Sequence, residues 1–453
     1  MKKIAYALLL TTVLLNSAEG IEESLSLDNA INILKSDNLE IQVASMDVSI
    51  SKKDADVTSG NHWGKLAFIQ DVSRSNDAGN IFGFKLTSRE ATFGDFGFSE
   101  FDNTNPNILN VRPKDLNYPD DRNFFQSKLT FKVPLFTGFK ISSYEDVMKS
   151  ITRIKSLEKK QVVNEKIYQV KKSFYDMALL RESSKNLSTI YKNIETLEST
   201  TKQMIEVGYA KKVDLLEIQA KKRNLQSLLR QVDLNEKLLY QYISFLLNQK
   251  VTNISTPAID VVMPNYSDEN ILKNNLDIRK VSTGLDIQKS MTNVAESSYY
   301  PTVGAFGEFS TADNTFLGSA SNHKAYTVGA RLSWNIFNGG IDNANIEKSR
   351  IQELKTSLQA KLAREGIALK IAQLRTQIAT SDEDIESLQK EFELANEIYK
   401  NYEARYKEKL SSMNDVIIKQ SQQIEKILLI QKARNQRNER IFALEKLANG
   451  EEQ

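Results

Sequence analysis

The sequence predicts an α+β membrane protein in which a few membrane-crossing strands are continuous with very long helices. Three observations carry this. Long stretches hold no helix breaker, the apolar period switches from 3.6 to 2 between them, and the whole pattern is written twice in the 453 residues. Composition sets the outer bounds. Sixty Lys+Arg against 58 Asp+Glu leave a formal charge of +2, which gives no electrostatic case for nucleic acid. Clusters such as Lys171-Lys172 and Lys211-Lys212 read as solvated helix faces. Cysteine is absent, which removes disulfide frameworks, thiolate metal sites and cysteine nucleophiles. His62 and His323 are the only imidazoles, and they share no motif. The expectation is therefore no enzyme: no catalytic residue, no cofactor and no metal.

Residues 1–20 read as a signal peptide. Lys2 and Lys3 precede a short apolar stretch at 4–15, and Ala18 and Gly20 place small residues before a cleavage site. The stretch is shorter than the roughly 20 apolar residues of a spanning helix. With no cysteine for lipid attachment, the expected product is exported and unlipidated.

The duplication then fixes the organisation. Asn38-Leu39-Glu40-Ile41 returns as Asn275-Leu276-Asp277-Ile278, an offset of 237 that also carries Trp63 onto Tyr300. Phe136-Thr137-Gly138 returns as Phe337-Asn338-Gly339, an offset of 201 that also carries Asp214 onto Asp415. Residues 21–260 and 261–453 are thus two repeats, and the first holds an insertion of 36 residues, the difference between the two offsets.

Each repeat begins with a helix, expected over 39–59 and 276–297. The next helices are far longer. Residues 140–207 contain neither glycine nor proline and would span about 100 Å as one helix. Gly208 breaks the run before a second helix at 213–249, and the other repeat gives 341–408 and 412–449. Leu225, Leu228, Val232, Leu239, Tyr242 and Leu246 fall on heptad spacing, with Asn235 in the missing place, as in a coiled-coil seam.

Between the helices, Tyr326, Val328, Ala330, Leu332, Trp334 and Ile336 alternate with Thr327, Arg331 and Ser333, predicting a strand over 325–337. Its counterpart over 124–136 alternates Phe125, Leu129, Phe131, Val133 and Leu135 with Lys128, Thr130 and Lys132. Looser alternation at 65–74 and 302–310 supplies hairpin partners. Such strands are long enough to cross a membrane at a tilt. Four strands cannot close a barrel, so several chains must contribute, with their helices as a hollow wall. Composition and period leave a second class open, a secreted helical structural or adhesive oligomer without channel activity.

The chain resembles the TolC-type outer-membrane efflux proteins nearly end to end. The resemblance rests on the duplicated strand–strand–long helix–turn–helix order and on the junctions Pro134-Leu135-Phe136-Thr137-Gly138 and Trp334-Asn335-Ile336-Phe337-Asn338-Gly339-Gly340. The helix turns Val207-Gly208-Tyr209-Ala210 and Tyr406-Lys407-Glu408-Lys409-Leu410-Ser411-Ser412, each followed by its aspartate, add to it. It implies a homotrimer in the outer membrane, whose 12-stranded barrel, four strands per chain, meets a periplasmic coiled-coil barrel. It further implies an exit duct that works with a periplasmic adaptor and an inner-membrane transporter in tripartite efflux or type I secretion.

By the same resemblance, Asp415 narrows the periplasmic entrance. Ile418 stands where the family has a second acid, so electrostatic closure would be weaker. Asp214 and Tyr406 match positions that tie the coils shut. Val207, Gly208, Tyr209, Leu410, Ser411 and Ser412 are the expected adaptor-docking tips, and Lys409 replaces the usual glycine. Plain N-capping explains both aspartates equally well. The insertion falls at 75–122, in a loop the topology places outside the cell. Phe82, Phe84, Phe93, Phe96, Phe98 and Phe101, interleaved with Gly83, Gly94 and Gly97, argue for a packed loop: a lid, a surface epitope or an ordered decoration.

Overall fold

Asn38 and Asn275 show how local chemistry sets the helix starts. Each buried side chain accepts the backbone N–H three residues on, Ile41 at 3.0 Å and Ile278 at 3.2 Å. Each amide also donates to a carbonyl near the end of a returning helix, Leu246 at 2.8 Å and Leu447 at 3.1 Å. The computed structural model describes residues 24–316 and 323–448, and the expected signal peptide lies outside them. The order is α1 (Leu27–Asp37), α2 (Leu39–Gly60), β1 (Lys65–Ser75), α3 (Ala78–Thr87), α4 (Lys114–Asn117), β2 (Arg122–Phe136), α5 (Lys140–Glu206) and α6 (Lys212–Leu247). There follow α7 (Asp268–Asn274), α8 (Leu276–Glu296), β3 (Thr302–Asp313), β4 (Lys324–Ser333), α9 (Ile341–Lys407) and α10 (Met413–Leu447). Short 3-10 turns fill the junctions and the long loop.

The chain divides into two units. One comprises the described residues to Ser49, residues 154–282 and residues from Leu358 onward; the other comprises 50–153 and 283–357. The first unit is helical and, among the described residues, has three cores. Leu34, Phe174, Met177 and Leu246 centre one where α1 and α6 meet α5. Ile371, Leu374, Ile378, Ile441 and Phe442 join α9 to α10 in another. The third lies beneath the helix tips and takes residues from all four long helices, among them Leu197, Ile218, Tyr399 and Val416. The seam read on α6 is partly inward: Leu225 and Leu246 are fully buried, while Tyr242 remains 40% exposed. Helices α1 and α7 were not anticipated from the sequence. Ser26 and Ser267 cap them by accepting the Asn29 and Asn270 N–H groups.

The second unit holds one antiparallel sheet in the order β1-β2-β3-β4. β4 stops at Ser333, short of the end of its alternating run. There the Trp334 indole leaves the ladder and donates to the Tyr299 carbonyl at 3.2 Å. The long loop is folded onto the sheet. Phe84 stacks on the buried Phe124 with centroids 4.1 Å apart, and Ile81 and Ser88 are buried. No helix among the described residues is long and apolar enough to cross a membrane.

Candidate functional site

The register of the sheet sorts its side chains onto two unlike faces, since directly paired residues point the same way. One row runs Leu66–Phe131–Gly307–Val328 and the next Phe68–Leu129–Phe309–Tyr326, with Val303 paired to Leu332 further along. This face is apolar and much of it is bare: Phe68, Val328 and Tyr326 are all exposed. The opposite face carries Thr130–Glu308–Thr327 and Ile69–Lys128–Ser310, with Lys128 3.2 Å from Asp71. Gly329 leaves room there for Phe306, whose ring a side chain would strike. Strands of 10 to 15 residues match a tilted membrane crossing. Where the strands meet the helices, the aromatic side chains of Trp63, Tyr299, Tyr300, Trp334 and Phe139 are all exposed, with Phe139 set edge-on to Tyr300. Among the described residues, β1 and β4 each pair on one side only.

The helix tips lie in the other unit and share one backbone design. At the first, the Gly208 N–H donates to the Ile205 carbonyl (3.0 Å) and the Tyr209 N–H to Met204 (2.7 Å). At the second, Lys409 donates to Tyr406 (2.9 Å) and Leu410 to Arg405 (2.7 Å). Both are Schellman endings, which need a left-handed residue. Gly208 supplies it at φ 78 and Lys409 at φ 65. The Lys409 ammonium rests 3.2 Å from the centroid of the Tyr209 ring, so the tips touch. Val207, Tyr209 and Leu410 are exposed, and the Ser411 hydroxyl donates back to Tyr402 at 3.1 Å.

The aspartates beyond the tips serve as caps. Asp415 accepts the Ser412 hydroxyl at 2.6 Å and its N–H at 3.2 Å, while the Asp415 N–H donates to Ser412 Oγ at 3.2 Å. This reciprocal box holds the Asp415 carboxyl below the usual carboxylate range. Asp214 accepts the Lys211 N–H at 2.8 Å, and there the box is one-sided, because a lysine side chain cannot accept in return. Ile418 is 44% exposed, one turn beyond Asp415. Tyr406 is buried and its hydroxyl pairs with Thr201 at 3.2 Å; burial raises its pKa, with Thr201 opposing and the Asp214 charge adding. The hydroxyl that sequence reasoning assigned to tying the coils is thus bonded to α5, a partner 205 positions away that no local pattern signals.

Residues 269–450 match the model of the outer membrane efflux protein family. This stretch is similar to that family. The fold agrees over almost the whole chain. The channel protein CusC superposes with a TM-score of 0.76 at 12% identity, over 93% of this chain and 91% of that one. The open state of the Neisseria gonorrhoeae MtrE outer membrane channel gives 0.72 at 14%, over 93% and 88%. The Campylobacter jejuni CmeC outer membrane channel gives 0.73 at 13%, over 94% and 85%. No curated protein matches by sequence. The chain therefore has the fold of TolC-type efflux channels, as its junction and turn motifs suggest.

Within that efflux fold, one grouping escaped the sequence reading. Glu90 from the long loop, Asp313 from β3 and His323 beside β4 each bring one donor atom within 4.8 Å of the others. The expectation of no metal centre rested on the two histidines lacking a shared motif. A set assembled from three distant segments leaves no such motif to find.

Proposed function

We propose that this chain is one protomer of a homotrimeric outer-membrane exit duct. It would conduct substrates passively outward from an inner-membrane transporter bridged by a periplasmic adaptor, in tripartite efflux or type I secretion. The observation that carries this is the sheet: four strands with one apolar face, one polar face and two open edges. An exposed strand edge invites pairing, and in lipid every backbone group needs a partner. Three copies bring twelve strands, enough to close around a lumen lined by Lys128, Thr130, Glu308 and Thr327, with Phe68, Leu129 and Tyr326 turned to lipid.

In this reading the chain is two repeats of one unit, and the helices of three copies form the tunnel wall. Val207, Gly208, Tyr209, Leu410, Ser411 and Ser412 meet the adaptor. A ring of Asp415, with Ile418 beside it, narrows the entrance and favours cations. The same carboxylate caps α10 and stays ionised, so a structural and an electrostatic role coexist. Tyr406 and Asp214 steady the tips against opening.

The test combines cell fractionation with planar-bilayer recording on the purified protein. The expected result is an outer-membrane trimer with discrete conductance steps and a cation preference that falls in Asp415→Ala. A soluble oligomer without conductance would instead support a secreted structural or adhesive protein.

A further inference from the structure

The insertion that sets the first repeat apart brings a carboxylate to the far end of the sheet. Helix α3 ends with Arg89 in the left-handed region at φ 55, closed by the Arg89 N–H on Leu86 and the Glu90 N–H on Lys85. The Phe84–Phe124 stack fixes this helix against β2. Glu90 is thereby delivered beside the last residue of β3, Asp313, and beside His323, just before β4.

We propose that Glu90, Asp313 and His323 form a zinc site that clamps the long loop to the second hairpin. The donor set is one imidazole and two carboxylates, with the donor atoms all within 4.8 Å of one another. Ligands about 2 Å from a tetrahedral zinc stand roughly 3.3 Å apart, so small side-chain rotations close the set. Three protein ligands leave a fourth position for water. An imidazole selects against magnesium and calcium, which take oxygen donors.

The second observation is His323 itself. Its Nδ1 is buried and, among the described residues, has no hydrogen-bond partner. Asp313 Oδ2 lies 3.7 Å from it, and both side chains are about nine-tenths buried. Burying an imidazole nitrogen with no partner costs stability, and a metal ligand is one way to recover it. Arg122 pairs with Glu90 and sets the charge. Two carboxylates and one guanidinium leave a net −1, which a divalent cation reverses only to +1. In the duct reading this site lies at the outer rim, but its donor chemistry does not depend on that reading.

The test uses the full-length protein in detergent, stripped with chelator and titrated with zinc sulfate by calorimetry. One zinc per chain is expected, with His323→Gln and Glu90→Gln each weakening binding by roughly tenfold or more, as even outer-shell ligand changes do. His62→Gln should bind as the parent does. Limited proteolysis of the unaltered protein supplies a readout free of folding defects: zinc, but not magnesium, should protect the loop at 80–118. Zinc affinity unchanged by His323→Gln would overturn the site. Binding that needs His323 but not Glu90, with no loop protection, would overturn the clamp.

Discussion

The two helix tips are built on one backbone pattern and held in different ways. Positions 201 apart make the comparison. Gly208 faces Lys409 at the left-handed turn, Lys211 faces Ser412 at the cap, and exposed Lys212 faces Met413, which is 1% exposed. The first tip is relaxed in its backbone and thinly anchored. The second carries a non-glycine residue in a costly conformation, and a reciprocal cap, a buried methionine and the Tyr406–Thr201 pair hold it there. Strain at one residue persists where its surroundings over-determine it. In the proposed duct, the second tip is the one built to keep its shape against an adaptor and carries the Asp415 ring, while the first is freer to adapt.

Hydrogen exchange at the tip amides resolves each side of this comparison. The largest effect belongs to Met413→Ala, which should lower second-tip protection by about 2–5 kcal/mol, as buried Met→Ala changes do. Lys212→Ala should stay within about 0.5 kcal/mol at the first tip. Equal effects would break the distinction. Next comes the turn residue. Gly208→Ala should cost about 1–2 kcal/mol at the first tip, and Lys409→Gly should return a similar amount at the second. If Lys409→Gly destabilises instead, the contact with Tyr209 outweighs the backbone strain, and Tyr209→Leu would then remove that penalty.

Cap exchange is smaller. Ser412→Ala should cost about 1 kcal/mol, while Lys211→Ser should gain up to that amount by completing a box with Asp214. The acid response is the finest probe. A depressed carboxyl stabilises above its unfolded value and loses that contribution as pH falls through the folded one. Asp415 should therefore support the second tip until pH drops below the ordinary aspartate range, and Ser412→Ala should move that loss upward. Glu198, lowered to about 2 by bonds from Lys202 and Lys222, should show its own step unchanged in the same variant.

What could be read from the sequence was local. Strands and long helices declare themselves through period, and Ser412-x-x-Asp415 announces its box within four residues. Helices α1 and α7 escaped because they are short and their caps, Ser26 and Ser267, precede no long apolar pattern. The pairing of Tyr406 with Thr201 and the grouping of Glu90 with Asp313 and His323 depend on residues brought together from far along the chain. The end of β4 escaped for a third reason: alternation continues through Trp334 and Ile336 after the ladder has stopped, because the indole bonds sideways to Tyr299.

The proposed duct requires the open edges of the sheet to be closed by other copies. The chain has no cysteine, so one introduced at the edge of β1 and one at the edge of β4 can bridge only as placed. A scan of such pairs in intact cells, resolved by non-reducing electrophoresis, reads the closure directly. The expected result is bridging confined to a few registers, in a ladder that ends at the trimer. Chains that remain monomeric at every register, or a ladder that continues past the trimer, would contradict a closed twelve-stranded barrel.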